Sequence, residues 1–270
     1  MKVIAFALLL CACGGAGGDA SDAGADVVYG KKPIDATQGG FDASEADVPK
    51  TPIERMTPHQ GITLSTPALH ALYVGTPDVD IQTNRDTFIS WLLASTDYWS
   101  ILAQYKVGYG TLTGSSTIAT SSFFQAGDVV DGVVNWLTLE ERVRAAIAAL
   151  PLDEGGVPNG YVVFLPNAVQ VDLGDGSKTC ADVGGYHSYD SVEAYAIIPS
   201  CSFSGTMVIS HEVAEMSTDP IPTAGWYSED DVQNAGGEVG DLCNAPVKVD
   251  GITVTQLWSN QDGDCEPPAD

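Results

Sequence analysis

Short apolar runs alternate with amphipathic stretches along most of the chain. Residues 69–74 (LHALYV) form a first apolar run closed by Gly75, which predicts a strand. Residues 84–94 (NRDTFISWLLA) place Phe88, Ile89, Leu92 and Leu93 at helical spacing, and residues 98–105 continue helically to a stop at Gly108. Thr138-Leu139-Glu140-Glu141 has the form of a capping box and predicts a helix running through residue 150, ended by Pro151. YVVFL at 161–165 and AYAII at 194–198 are continuous apolar runs and predict buried strands, the second stopped by Pro199. A helix is predicted over 205–217 and is broken by Asp219-Pro220. From residue 229 the chain is rich in Gly and Asp, with a strand predicted at 252–257. No internal repeat is visible. This order of elements predicts one α+β or α/β layer domain over residues 61–266, a mixed sheet packed on helices, followed by a tail at 267–270.

The N-terminus is of another kind. In residues 1–13 (MKVIAFALLLCAC) one basic residue precedes an apolar run too short to span a bilayer, which is the pattern of a secretion signal. Its end, Leu10-Cys11-Ala12-Cys13, resembles the bacterial lipobox, and that resemblance implies Cys13 as the acylated first residue of the mature protein. An ordinary signal cleaved nearby is the alternative. Residues 14–60 are largely Gly, Ala, Asp and Ser, too poor in apolar side chains to offset their ordering entropy, and are expected to form an acidic flexible tether. The expected location is therefore outside the cytoplasm, anchored by lipid to the bacterial envelope, with the protein a monomer.

Composition narrows the classes. Among 270 residues, 44% are hydrophobic and 17% charged, which excludes a wholly disordered chain or a coiled coil. Eleven Lys and Arg against 36 Asp and Glu give a formal net charge of −25, which repels phosphate backbones and argues against nucleic-acid binding. Beyond the signal, four cysteines remain: Cys180, Cys201, Cys243 and Cys265. An even number in an exported chain implies disulfides, and three pairings are open. Cys180–Cys201 with Cys243–Cys265 is favoured because each pair brackets a single loop-plus-strand segment. A zinc site of four cysteines is weaker, since no C-x-x-C spacing occurs.

One constellation carries chemistry. In the helical stretch MVISHEVAEMS, His211 and Glu215 are four residues apart, about 40° around the helix and one turn along it, so both can grip one cation. Glu212 follows the first ligand, where the helix turn aims it at a metal-bound water; this is the mechanical logic of the H-E-x-x-H helix with the second His replaced by Glu. Carboxylate is an acceptable zinc ligand, though its charge lowers the Lewis acidity of the ion and admits harder ions. Asp219 is about 12 Å along a straight helix from His211, too far for the same ion, and is expected to end the helix or orient a loop. Glu238 and Asp241 lie far enough past Glu215 for the chain to return. Glu238 is the expected third ligand and Asp241 its supporting carboxylate, with the exchanged roles open. His187 is expected as a ligand or a transition-state donor.

The plainer alternatives are concrete. H-E-x-x-E arises readily on surface helices, because Glu favours helices. Here Val208, Ile209, Val213 and Ala214 flank it, so the helix is expected to be largely buried, where a His and two Glu are costly without a partner. His59 and His70 read as linker and core-strand residues, and Asp172, Asp175, Asp262 and Asp264 as turn residues rather than a Ca²⁺ loop. No G-x-S-x-G elbow or Gly-rich phosphate loop is present.

The string HEVAEMSTDP, followed by GEVGDLC and by LWSN with a last Cys, resembles a group of exported bacterial proteins carrying the same segments in the same order. The strand ending Tyr73-Val74-Gly75, the FISWLLAS and YW helices, YVVFL, and Cys180 with Tyr186-His187-Ser188 are similar to the phosphate-induced, EXORDIUM-like family of secreted plant proteins. The likeness to the plant family lies in the scaffold and not in the H-E-x-x-E residues. The bacterial resemblance implies a zincin-like domain with His211 and Glu215 as Zn²⁺ ligands and Glu212 as general base. Together with the lipobox-like N-terminus, the leading expectation is a membrane-anchored metallopeptidase acting on a peptide or protein, with the run at 194–198 bordering the cleft. The rival expectation is a non-catalytic, EXORDIUM-like surface protein whose metal site is structural or vestigial.

Overall fold

The computed structural model describes residues 55–268 apart from 151–157, 190–192, 202–204, 223 and 230–236. The secretion signal with Cys13, most of the expected tether, and Pro151 lie outside the described residues.

The elements follow in the order β1 (Thr57–Pro58), β2 (Ala68–Val74), α1 (Val79–Ala94), a 3₁₀ helix (Trp99–Tyr105), β3 (Thr111–Ile118), α2 (Thr120–Phe123), β4 (Val129–Val130), β5 (Val133–Asn135) and α3 (Trp136–Ala149). They continue with β6 (Gly160–Asn167), β7 (Gln170–Asp172), β8 (Tyr186–Tyr189), β9 (Ala194–Ser200), α4 (Thr206–Thr218), β10 (Trp226–Tyr227), β11 (Pro246–Val249), β12 (Ile252–Thr255), β13 (Leu257–Ser259) and β14 (Asp264–Glu266). The fold is thus mixed α and β. Its main sheet has the order β3-β2-β6-β9-β8. Strands β3, β2, β6 and β9 run parallel, and β8 is antiparallel to β9.

Alternation along the strands sorts two cores. Ala71, Tyr73, Val162, Phe164, Ala196 and Ile198 face α1, the 3₁₀ helix and α4, while Leu72, Val74, Val163, Leu165, Tyr195 and Ile197 face α3. A sheet covered on both faces explains why YVVFL and AYAII are continuously apolar. On the α4 side two hairpins, β11–β12 and β13–β14, complete the core through Val247, Val254, Leu257 and Trp258.

Several boundaries differ from the sequence expectation. Helix α1 begins at Val79 rather than at 84, because the Asp78 side chain accepts from Asp80 N (2.8 Å) and caps it. Residues 99–105 are 3₁₀ and stop at left-handed Lys106 (φ 68°), before Gly108. The cap of α3 is Asn135, whose Oδ1 accepts from Leu137 N (3.0 Å), so Thr138 lies inside the helix and opens no capping box. Pro199 lies within β9 rather than ending it: β8 pairs only as far as Ile197, so no ladder bond is asked of the proline nitrogen on that side. The strand expected over 252–257 divides into β12 and β13. Strands β3 and β8 (TLTGSSTI and YHSY) went unpredicted because they are largely polar, as sheet edges can be. The folded chain also begins ahead of residue 61: Met56 is buried, and its backbone bonds the Asn260 amide through both N (2.9 Å) and O (2.7 Å).

Both expected disulfides are present, Cys180–Cys201 and Cys243–Cys265. They indicate an oxidising, extracytoplasmic location. Loops of 21 and 22 residues give each a loop-closure stabilisation of about 3 kcal/mol. Among the described residues no helix is long and apolar enough to cross a membrane.

Candidate metal centre

Helix α4 is wedged between the sheet and β12. Ser210 Oγ accepts from Thr255 N (2.9 Å), and from Glu212 to Thr218 every residue is buried. The helix ends at Asp219, whose N donates to Glu215 O (2.7 Å). The Asp219 carboxylate accepts from Ala224 N (3.0 Å) and from Gly225 N, so this acid closes the helix and turns the next loop, as expected.

Around α4 the structure gathers His187 from β8, Glu212 and Glu215 from the helix interior, His211 from its partly covered side, and Glu238 and Asp241 from the segment before Cys243. His211 Nε2 is 3.2 Å from Glu215 Oε1 and 3.2 Å from Asp241 Oδ1. Ligand atoms about 2.1 Å from a tetrahedral ion stand about 3.4 Å apart, so these three side chains fit one cation of zinc size. Glu215 Oε1 also accepts from Asp241 N (3.0 Å), which ties the returning segment to the helix. A second, wider group shares Glu215 through its other oxygen: His187 Nδ1 lies 3.7 Å from Glu212 Oε2 and 3.8 Å from Glu215 Oε2. Both groups can hold a metal ion.

The two segment acids are exchanged relative to the favoured expectation. Asp241 stands against His211, whereas Glu238 Oε1 is 3.4 Å from His187 Nε2 and meets no hydrogen-bond partner among the described residues. The same His187 nitrogen is 3.0 Å from Asp219 O. A carbonyl only accepts, so Nε2 carries a proton and Nδ1 is left to face Glu212 and Glu215.

Two glycines that the sequence reading did not single out allow this packing. A Cβ on Gly240 would sit 2.7 Å from His211 Nδ1 and 3.0 Å from Glu215 Oε1; one on Gly185 would sit 3.1 Å from Glu212 Cγ. Their sequence signal is their position within GEVGD and GGYH. Strand β9, expected to border a cleft, is interior, paired by β6 on one side and β8 on the other, and so has no free edge for a substrate backbone.

Electrostatically the cluster is out of balance. Burial by itself lowers the proton affinity of both imidazoles. For His187 the Glu238, Glu212 and Glu215 carboxylates overcome it, and for His211 Glu215 and Asp241 do, so both pKa values are driven well above the usual range. Burial pushes Glu212 up and Glu238 well up, with the histidines opposing. With all four acids ionised the cluster would carry excess negative charge even with both rings protonated, and the raised proton affinities of Glu212 and Glu238 are one way of relieving it. A bound divalent cation would supply that balance in place of the protons.

His59 and His70 stand outside the cluster, His70 bonding Ser116 Oγ (2.9 Å) from β2. Asp172 and Asp175 accept from backbone N–H groups two residues on, in turns, and Asp264 Oδ1 accepts from Cys265 N. No protein-family model matches the chain, and no curated protein matches it.

Proposed function

We propose that this is an exported, metal-dependent hydrolase, a peptidase of zincin-like design, in which His211, Glu215 and Asp241 hold one zinc ion and Glu212 is the general base. The observation that carries the reading is that His211 Nε2 lies 3.2 Å from both Glu215 Oε1 and Asp241 Oδ1, with Glu212 one residue after the first ligand on the same helix. Zinc, when bound, supplies a Lewis acid that polarises a carbonyl and lowers the pKa of a coordinated water. Glu212, its proton affinity raised by burial, takes the proton of the attacking water and passes it to the leaving group. His187, held through Nε2 by Asp219 O, keeps Glu212 oriented and offers a cationic hydrogen-bond donor toward negative charge that develops beside it. Glu238 steadies His187 from the opposite side. The lipobox-like Cys13 and the acidic segment after it support a lipid-anchored domain held away from the membrane.

A second reading has an observation of its own. Glu212 is only 5% exposed and faces His187, an arrangement suited to a centre that holds a cation without turnover. Metal analysis of protein purified without chelator, together with peptide hydrolysis by wild type and Glu212→Gln, separates the two. The hydrolase reading requires bound metal and a loss of about 10²-fold or more in kcat for Glu212→Gln with metal retained. Bound metal with no hydrolysis supports the holding site, and absence of metal removes both.

A further inference from the structure

A second unbalanced charge lies at the carboxyl ends of the parallel strands, built from none of the residues of the α4 cluster. Strand β2 is flanked on both sides: the chain leaves it for β3 on one side and later returns to β6 on the other. The sheet order therefore reverses between β2 and β6, and a crevice opens where successive connections depart to opposite sides. A cavity of about 220 Å³ occupies that place. Gly75 (φ +96°) turns the chain sharply out of β2, so that Thr76, Pro77 and Asp78 pass along the crevice into α1. On the far side β6 slips register against β9 between Phe164 and Asn167, an irregularity of the kind found beside binding sites.

Arg85, from α1, lines this cavity. Its guanidinium rests 4.5 Å over the Phe164 ring, itself stacked on Tyr73. Among the described residues no carboxylate pairs with it. The neighbouring Asp86 is taken by Tyr73 OH (2.7 Å) and Ser115 Oγ (2.7 Å). A half-buried guanidinium keeps its charge and has five N–H donors to satisfy, and here the protein supplies a ring and no anion. The chain as a whole carries a formal net charge of −25, so the cavity places a positive group within an otherwise acidic protein. Val74, Pro77, Ile81 and Pro166 make the remaining wall largely apolar, and the Asn167 amide stands at the rim. The start of α1 is capped by Asp78 itself, so an incoming anion depends on Arg85.

We propose that the crevice between the ends of β2 and β6 is a binding site for a small organic monocarboxylate, its carboxylate taken by Arg85 and its hydrocarbon part by the Val74–Pro77–Ile81–Pro166 wall. The cavity is smaller than the ~300–1,000 Å³ of sites for drug-sized ligands, which sets the size class. The Asp78 carboxylate on the same lining disfavours a dianion, so phosphate fits less well than a monoanion.

The test is calorimetric titration of acetate, hexanoate and benzoate into the full-length protein, beside acetamide, hexanamide and benzamide as uncharged counterparts and inorganic phosphate. At least one carboxylate binds, about tenfold or more tighter than its amide, and Arg85→Gln weakens it by a similar factor. Arg85→Lys, which keeps the charge and loses the planar fork, falls between. Asp78→Asn keeps a capping side chain, removes the repelling charge and tightens binding severalfold. Circular dichroism shows that each variant is folded. The inference is overturned if no carboxylate outbinds its amide, if Arg85→Gln binds like wild type, or if phosphate alone binds.

Discussion

At α4, four carboxylates and two imidazoles are packed where solvent scarcely reaches, and their mutual repulsion is relieved by protons or by a cation. At the ends of β2 and β6, one guanidinium lies over an aromatic ring, and among the described residues no carboxylate pairs with it, although Asp78 lines the same cavity. The first region is crowded, and each of its acids has more than one neighbour; the second is open, and its guanidinium rests on a π face without a paired carboxylate among the described residues. A crowded imbalance couples its groups, so altering one alters the rest. An open imbalance is local, and its removal is felt chiefly by a ligand.

The sharpest way to break that contrast is to remove Glu215, which touches His211 with one oxygen and His187 with the other. Glu215→Gln is expected to lower zinc affinity by at least about 100-fold in a competition titration against a chromophoric chelator. Arg85→Gln, which shares no lining residue with the cluster, is expected to leave that affinity within about twofold of wild type. Equal losses in both variants would show that the regions are one system.

A smaller effect separates them by pH. Folding raises the proton affinity of Glu212, Glu238, His187 and His211 above their ordinary values of 4.5 and 6.5. The stability they contribute is complete below those values and is lost as pH rises through the folded ones. With chelator present, the melting temperature is therefore expected to fall as pH climbs from about 5 upward. Zinc replaces the protons, so the gap between zinc-loaded and chelated melting temperatures widens with pH. A gap that narrows would mean that protons and metal do not compete for these groups.

How much of each region was legible in the sequence follows from how each is built. The α4 centre rests on local spacing: His211, Glu212 and Glu215 are brought together by one helical turn, and Asp241 and Glu238 are marked by the glycines around them. Which of the two acids meets His211 depends on the path of the returning segment, and spacing does not encode that path. The continuous strands β2, β6 and β9 were legible because both their faces are buried, while β3 and β8 were hidden by their polarity. The crevice had no sequence signal at all. Arg85 reads as an ordinary polar position on an amphipathic helix, and Phe164 as one apolar residue in YVVFL; only the reversal of strand order makes them neighbours.

The smallest expected effect decides whether Arg85 belongs to the fold or to a ligand. Two arginines can be set side by side. Arg142 grips Asp128 through Nε (2.6 Å) and Nη2 (3.2 Å), and the same carboxylate accepts from Gln125 N (2.7 Å), so it joins α3 to the turn before β4. Arg85 makes no such bridge among the described residues; its ring contact contributes under about 1 kcal/mol, and part of that is offset by the cost of half-burying the guanidinium. Arg85→Gln is therefore expected to shift the melting temperature by no more than about 2–4 °C, less than Arg142→Gln does, while weakening carboxylate binding about tenfold or more. The reverse order would mean that Arg85 is held for packing. A fold that tolerates its loss would leave a ligand as the reason for an unpaired cation at the sheet's switch point.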